Sequence, residues 1–437
     1  MRLSYLWTAL TCSAIAEGRY AGHEESFWVN KEDDLRLNDV GKNSVAPFID
    51  QLFGELLKPR LDCNSEDFVS VSSQIDVMED EDPDFKAQCG FFNENPVVLP
   101  LDTYMKDLFF FSGIVTFAHL PAVKCFAEDE LNADIVIVGA PFDTATTYRP
   151  GARFGPNGIR QGSRRIGSGI SPVRGFPGSK LRLLNPYNSS YKIADCGDIP
   201  MTPFDNRVAL NQLYRGQRKI HNHPSLKEPE KPPRIITLGG DHTITLMALR
   251  SAYEKFGPLA VVHFDSHIDS WSPDVLGGGV SKRARLNHGT FLHYAHEKGY
   301  LANNSAIHVG IRGPYIDSHD DLHDRECGFE KIVSRDIDII GIRGVVDQIK
   351  KRIGDLPVYI TFDIDVLDIA SAPGTGTPEP GGFTAREALT ILDGLEGINL
   401  VGADVVEVAP AYDSNGDITV ITAASVVDSF IGLMTVE

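Results

Sequence analysis

This sequence predicts an α/β fold in which a parallel sheet is covered by helices on both faces, and two observations carry that reading. From about residue 110 onward, short apolar runs alternate with stretches of helical periodicity, the pattern of strands joined by helical crossovers. Three of those runs break off into acidic and histidine residues, as a chain does where it leaves the carboxyl edge of a parallel sheet and enters a ligand site. The 437 residues, 42% of them hydrophobic, give room for one large α/β domain and an extension.

Taken in order, the candidate strands are 133–139, 180–184, 191–194, 234–238, 259–264, 306–311, 358–362 and 399–406. Between them 243–256, 341–353 and 384–395 read as helices. The last opens with Thr384 and Glu387, a capping-box spacing that satisfies free N–H groups at its start. The charged, Pro-rich stretch 224–233 reads as a surface connection. Ahead of the alternating pattern, residues 17–105 form an extension. Its segment DVMEDEDPD at 76–84 is a solvated acidic loop that lacks the Gly and terminal Glu of a calcium loop.

Lys and Arg number 41 against 60 Asp and Glu, a formal charge of −19. Such a balance argues against nucleic acid or anionic membrane as partner and mildly favours a small cationic substrate. Residues 1–16, MRLSYLWTALTCSAIA, place Arg2 before a short apolar stretch and the A-x-A pattern Ala14-Ile15-Ala16. This is the pattern of a cleaved signal peptide, and no later run approaches the length of a membrane-spanning helix. The expectation is a secreted, extracellular protein without membrane attachment once the signal is removed, with 106–437 as its catalytic domain. Cys12 leaves with the signal, whereas Cys63, Cys89, Cys125, Cys196 and Cys327 remain, an odd number in a compartment that permits disulfides. Their pairing stays open, with Cys63 and Cys89 the first pair to test. Asn188-Ser189-Ser190 and Asn303-Asn304-Ser305 are glycosylation acceptor triplets consistent with that route, though such triplets also arise by chance.

The strongest local signal is VVHFDSHIDSW, 261–271. Three of its first four residues are apolar; then Asp265, His267 and Asp269 follow at period two, a spacing that aims all three at one point as a strand ends. Carboxylates with a neutral imidazole suit Mn²⁺, Mg²⁺ or Zn²⁺, and no thiolate lies nearby to favour structural zinc. Two other runs end alike: 235–238 leads into Gly239-Gly240-Asp241-His242, and 358–362 into Asp363-Ile364-Asp365. The stretch Asp317-Ser318-His319-Asp320-Asp321 repeats the D-x-H-x-D spacing with no apolar run leading directly into it, and reads as a solvated loop.

Together these motifs resemble the ureohydrolase family, the arginases and agmatinases, and the agmatinases most closely. The resemblance spans roughly 110–437 and is carried in order and spacing by SGIVTFAHLP (112–121), GAPFDTATTYRPGARFGPNGIR (139–160), LGGDHTIT (238–245), FDSHIDS (264–270), NHGT (287–290), VGIRGP (309–314), TFDIDVLDIASAPGTGTPEPGG (361–382) and DVVEVAPAYD (404–413). It implies a three-layer α/β/α sandwich on a parallel eight-stranded sheet. It also implies two Mn²⁺ per chain, one held by His242, Asp265, Asp269 and Asp363, the other by Asp265, His267, Asp363 and Asp365. Four carboxylates offset the four positive charges, and two dications lower the pKa of a shared water enough to supply a nucleophile at neutral pH.

By the same resemblance His288 is a proton shuttle, work that suits the pKa range of imidazole. Glu407 is the carboxylate that fixes the guanidinium in plane, and Thr377 its supporting hydroxyl. Asp269 orients the attacking oxygen and then passes a proton to the leaving amine. The implied reaction converts agmatine and water to putrescine and urea, in a homo-oligomer, since oligomers are usual in the family. An arginase or guanidino-acid hydrolase is one alternative. A secreted binding protein on a silent domain is the other, although none of the six ligands is lost. Ser266 and Ile268 stand where Ala and Thr are common in D-A-H-T-D, and Ile369 follows Asp368 where Pro, Ala or Gln is usual. The stretch 271–286 is longer and richer in Gly than in agmatinases, so the departures bear on substrate more than on reaction type.

Overall fold

Eight strands make one sheet: β1 (Ile135–Gly139), β2 (Ile193–Asp198), β3 (Arg234–Leu238), β4 (Ala260–Phe264), β5 (Ala306–Ile311), β6 (Phe329–Val333), β7 (Val358–Asp363) and β8 (Leu400–Val406). Their order is β2-β1-β3-β8-β7-β4-β5-β6, and every pairing is parallel. The computed structural model describes residues 114–436 except 127–130, 168–169, 173 and 282–283. The expected signal at 1–16, the 17–105 extension with its acidic loop, and Cys63 and Cys89 lie outside the described residues.

The helices are α1 (Gly155–Gly162), α2 (Asn206–His221), α3 (Thr245–Phe256), α4 (Phe291–Glu297), α5 (Asp320–Glu326), α6 (Ile337–Ile353), α7 (Ala385–Gly394) and α8 (Ile418–Thr435). Period-two alternation divides the core between the two faces of the sheet. Ile135 and Ile137 of β1 pack in one cluster with Ile159 of α1, Val345 of α6, Ala388 of α7 and Val427 of α8. Val136 and Val138 turn the other way, toward Ala209 and Leu213 of α2, and farther along that face Leu249 of α3 and Phe291 of α4 cover Val261 of β4. Helices on both faces bury the inner strands almost throughout, which is why they read as continuous apolar runs. The eight-stranded three-layer expectation is met.

Local signals held where they were strong. Thr384 and Glu387 form the reciprocal capping box of α7, Glu387 N–H donating to Thr384 Oγ1 at 3.2 Å and Thr384 N–H to Glu387 Oε2 at 2.9 Å. The run assigned to α6 is broken at Gly341, whose φ of 67° only glycine adopts freely, so regular helix begins where the sequence places it.

Four expectations are corrected. Residues 180–184 form successive turns rather than a strand. Arg182 N–H and Leu184 N–H bond back three residues, to Ser179 and Leu181, and buried Leu181 plugs the core without joining a ladder. Its place in the count is taken by β6, an edge strand with Glu330 and Val333 exposed, whose charged members hid it from an apolar-run criterion. The 317–321 stretch is not wholly solvated, because Asp320 is buried and accepts a hydrogen bond from Trp271 Nε1 at 2.8 Å. Finally, α8 is long and apolar enough to cross a membrane by length and composition, yet 78% of it is buried inside the fold as a core helix. It lies so close to α1 that a Cβ on Gly162 would come within 2.4 Å of the Val420 carbonyl oxygen.

A disulfide joins Cys125 to Cys196 of β2, with Cα atoms 5.5 Å apart, and Cys327 is a buried free thiol. The bridge spans a sequence separation of 71 residues, a closure that chain entropy values at roughly 4 kcal/mol.

Candidate active site

β3, β8, β7 and β4 are consecutive in the sheet, and Leu238, Val405, Phe362 and Phe264 pair in level register across them. Beyond that line the four chains deliver Asp241 and His242, Glu407, Asp363, and Asp265. β7 and β8 come late in the sequence yet fill the gap between β3 and β4, so the site gathers where the strand order doubles back. A Cβ on Gly240 would lie 1.9 Å from the Phe142 carbonyl oxygen, so only glycine lets the chain leave β3 there. Asp241 then caps the next turn, its Oδ1 accepting from Thr243 N–H at 3.0 Å, and ties down the 142–147 loop through Ala145 N–H at 3.0 Å.

The structure brings together all six residues expected to hold metal. His242 Nδ1 lies 3.1 Å from Asp265 Oδ2, 3.1 Å from Asp269 Oδ2 and 3.3 Å from Asp363 Oδ2. His267 Nδ1 lies 3.1 Å from Asp365 Oδ2 and 3.5 Å from Asp265 Oδ1. Asp265 therefore belongs to both donor clusters. The short spacings recur as the same local device: Asp265 accepts from His267 N–H at 2.7 Å and Asp363 from Asp365 N–H at 2.8 Å, each carboxylate bending the chain back over the strand end. Ser266 adds a support, its hydroxyl donating to Asp365 Oδ1 at 2.7 Å.

These residues fit a cation. Thr361 donates its hydroxyl proton to Asp404 at 2.5 Å, so at 2.7 Å it accepts from His242 Nε2–H. That leaves the Nδ1 lone pair facing three carboxylates, an arrangement that requires positive charge at Nδ1. Accordingly, against the burial that would lower it, the close carboxylates of Asp265, Asp269 and Asp363 hold the imidazole well above its ordinary pKa. Burial, then the charges of Asp365 and Asp265, raise Asp363 well above the carboxylate range, and burial with Asp265 lifts Asp269 to about 6. Asp265 Oδ2 and His242 Nδ1 are buried without a hydrogen-bond partner. Such a set of oxygen and imidazole donors is suited to a divalent ion.

Two buried supports escaped the sequence reading. Asp404 accepts from Thr361, from Thr245 at 2.8 Å and from Tyr359 at 2.9 Å, fixing the hydroxyl that orients His242. On the other side Asp265 Oδ2 lies 2.9 Å from His263 Nε2, His263 Nδ1 2.6 Å from His308 Nδ1, and His308 Nε2 2.8 Å from Asp324 Oδ1. The signal was present: His263, Asp265, His267 and Asp269 share one parity, so a strand already points His263 toward the ligand face.

His288 is buried, with Nδ1 3.1 Å from Glu407 Oε1 and Nε2 3.0 Å from Thr147 N. In the neutral ring Nε2 accepts from the Thr147 amide and the proton sits on Nδ1, facing Glu407; in the charged ring Nε2–H can donate to the Thr147 hydroxyl 2.8 Å away. Against the burial that would lower it, the Glu407 hydrogen bond and the charges of Glu407, Asp269 and Asp241 push the ring up to about 9, so Nε2 takes up a proton readily. Glu407 Oε1 also accepts from His242 N–H at 2.9 Å, while its Oε2 is buried and unpartnered. Thr377 does not support Glu407 as expected; its hydroxyl lies 3.3 Å from Asp365 Oδ2 instead. Asp269 and Glu407 have φ of 49° and 58°, left-handed conformations that cost a non-glycine residue about 1–3 kcal/mol and are held by their surroundings. A cavity of about 160 Å³ lies over the cluster, lined by Asp269, Asp363, His267, His288, Thr147 and Thr377, with Trp271, Leu276 and Ile316 on its apolar side.

The chain is similar to known proteins over this same region. Residues 133–432 match the arginase family. "Putative agmatinase 1" of Schizosaccharomyces pombe is 48% identical over 334 residues, covering 74% of this chain and 83% of that protein. The agmatinase of Cronobacter sakazakii is 35% identical over 69% of this chain and 87% of its own. Among solved structures, proclavaminate amidino hydrolase from Streptomyces clavuligerus superposes with a TM-score of 0.64 at 35% identity, covering 75% of this chain and 98% of the other. With the fold, the strand-end donors and these likenesses in agreement, the chain belongs to the arginase family and is an agmatinase-like ureohydrolase.

Proposed function

We propose that this enzyme hydrolyses agmatine to putrescine and urea, using two Mn²⁺ held by His242, Asp265, His267, Asp269, Asp363 and Asp365. The observation that carries the substrate assignment is the cavity lining, which joins three of the six donors to an apolar wall and includes no Lys or Arg among the described residues. Of the basic residues on the Gly-rich stretch, Lys282 and Arg283 lie outside the described residues, and Arg285 is paired with Asp274.

When bound, the two metal ions lower the pKa of water and make a nucleophile available at neutral pH. The protein's own groups do the rest. Glu407 Oε2 accepts a guanidinium N–H and holds that plane against the acidic cluster. Asp269 orients the attacking oxygen and passes a proton to the leaving amine, which departs as putrescine. His288 exchanges protons with solvent through Nε2, giving up its bond to Thr147 when it does so. Trp271, Leu276 and Ile316 pack along the aliphatic chain of the substrate.

An arginine carboxylate in this cavity meets no Lys or Arg among the described lining residues and lies beside Asp269 and Asp363, a loss of several kcal/mol. The expected result is that kcat/KM for agmatine exceeds that for arginine by about 10²-fold or more. Steady-state urea release on Mn²⁺-loaded enzyme, with both substrates at one pH and ionic strength, measures it. Equal or greater efficiency on arginine overturns the substrate assignment.

We also propose that the protein is secreted after cleavage behind Ala16. The Cys125–Cys196 bridge and the exposure of Asn188 and Asn303 support this route. Mass spectrometry of protein from its native host should place the mature N-terminus at Glu17; intact Met1 on intracellular protein refutes it.

A further inference from the structure

Apart from the acidic centre, His293, His323 and Cys327 bring two imidazoles and a thiol together where α4 meets α5. His293 stands on α4 and His323 on α5, and Cys327 caps the end of α5 one turn beyond His323 on the same side. His293 Nδ1 lies 3.1 Å from His323 Nε2, which lies 3.8 Å from Cys327 Sγ. One donor atom from each residue falls within 4.8 Å of the other two. On the opposite edge of the His293 ring, Nε2 is 3.6 Å from Glu297 Oε2. A carboxylate in that place draws the ring proton to Nε2 and leaves the Nδ1 lone pair turned toward His323 and Cys327.

We propose that His293, His323 and Cys327 form a separate site for a thiophilic divalent ion, Zn²⁺ by preference, which clamps α4 to α5. The donor set differs from that of the acidic centre in the way that matters for selection, since a thiolate with imidazoles favours Zn²⁺ over Mn²⁺. The spacing agrees as well: Zn–N bonds of about 2.0–2.1 Å and Zn–S bonds of about 2.3 Å give tetrahedral edges of roughly 3.4 and 3.6 Å. Cys327 is only 2% exposed, and burial pushes its thiol up to about 12. At neutral pH the sulfur keeps its proton until a cation displaces it, so binding releases one proton as the S–H bond is exchanged for a metal–thiolate bond. His323, one of the three donors, borders a cavity of about 210 Å³ shared with Ser272, His319 and Glu326.

The clamp has a mechanical consequence for the catalytic segment. Asp269 is held from α4, whose Leu292 N–H donates to its carbonyl at 3.1 Å. The next two residues are held from α5, Ser270 Oγ donating to Asp324 at 2.6 Å and Trp271 Nε1 to Asp320 at 2.8 Å. An ion joining the two helices fixes both supports at once.

The test uses full-length protein already loaded with Mn²⁺ and titrated with Co²⁺ as a spectroscopic stand-in for Zn²⁺. Expected are a further metal ion per chain and a sulfur-to-cobalt charge-transfer band, which the sulfur-free acidic centre cannot produce. Zn²⁺ should bleach the band by competition. Cys327→Ser should abolish it, and His293→Gln, a change at a partly exposed position, should weaken Co²⁺ binding by about 10-fold or more. Absence of the band at saturating Co²⁺ overturns the proposal, as does a band of full strength in Cys327→Ser, which would place the sulfur elsewhere. Should Cys327→Ser fail to fold, unchanged Co²⁺ affinity in His293→Gln overturns it equally.

Discussion

Replacing Asp265 with Ala is expected to lower kcat by about 10⁴-fold or more and to leave less than one Mn²⁺ per chain. Of the six donors, Asp265 is the one that both clusters share: its Oδ2 faces His242 and its Oδ1 faces His267. Truncation therefore removes a ligand from each ion and takes away the carboxylate that lies 2.9 Å from His263 Nε2. A 10⁴-fold loss corresponds to about 5.5 kcal/mol of transition-state stabilisation, within what two metal ions supply to a hydrolysis. Asp363 faces His242 Nδ1 at 3.3 Å and is the second shared ligand that the family resemblance implies, so Asp363→Ala should also abolish activity. Asp365→Ala is the informative contrast, because Asp365 stands in the His267 cluster alone, and its loss should mainly weaken one ion. Metal analysis of the purified variants, beside circular dichroism to confirm folding, makes the comparison. A wild-type content near two ions per chain in Asp265→Ala sinks the shared-ligand assignment.

His288→Ala should keep both metal ions yet slow turnover by about 10²- to 10⁴-fold, the range lost with acid–base assistance. His288 is in neither donor cluster, and its contacts run instead to Glu407 and Thr147. The variant thus separates proton transfer from metal binding. It also frees Glu407 Oε1 of one donor while the His242 N–H bond remains, so the carboxylate stays in place to receive the guanidinium and KM should change less than kcat. Wild-type kcat at neutral pH in His288→Ala would show that solvent or another group moves the proton.

The sequence alone determined the layered sheet, because strands buried on both faces must be apolar throughout and the crossovers between them must be helical. Spacing marked Asp265, His267, Asp269, Asp363 and Asp365 as candidate donors for a related reason, while the family resemblance supplied the complete set with His242. Residues at D-x-H and D-x-D spacing where an apolar run stops are brought to one side by local backbone geometry, and the amide bonds from His267 to Asp265 and from Asp365 to Asp363 are that geometry realised. The sequence placed His288 and Glu407 by motif, without their mutual contact. Tertiary structure decided everything that depends on which strands become neighbours. β7 and β8 insert between β3 and β4, and only then do His242, Asp265 and Asp363 meet. Thr377 turned to Asp365 rather than Glu407, Asp404 became the buried anchor of His242, and Cys125 met Cys196 across 71 residues. β6 and the turns at 180–184 were misread because an edge strand is half solvated and a leucine run can fill a core without a ladder. His293, His323 and Cys327 carry no shared motif; two helices bring them together. Spacing along the chain fixes what a strand or a turn can aim, whereas contacts between elements follow from long-range packing, which no short window of sequence records.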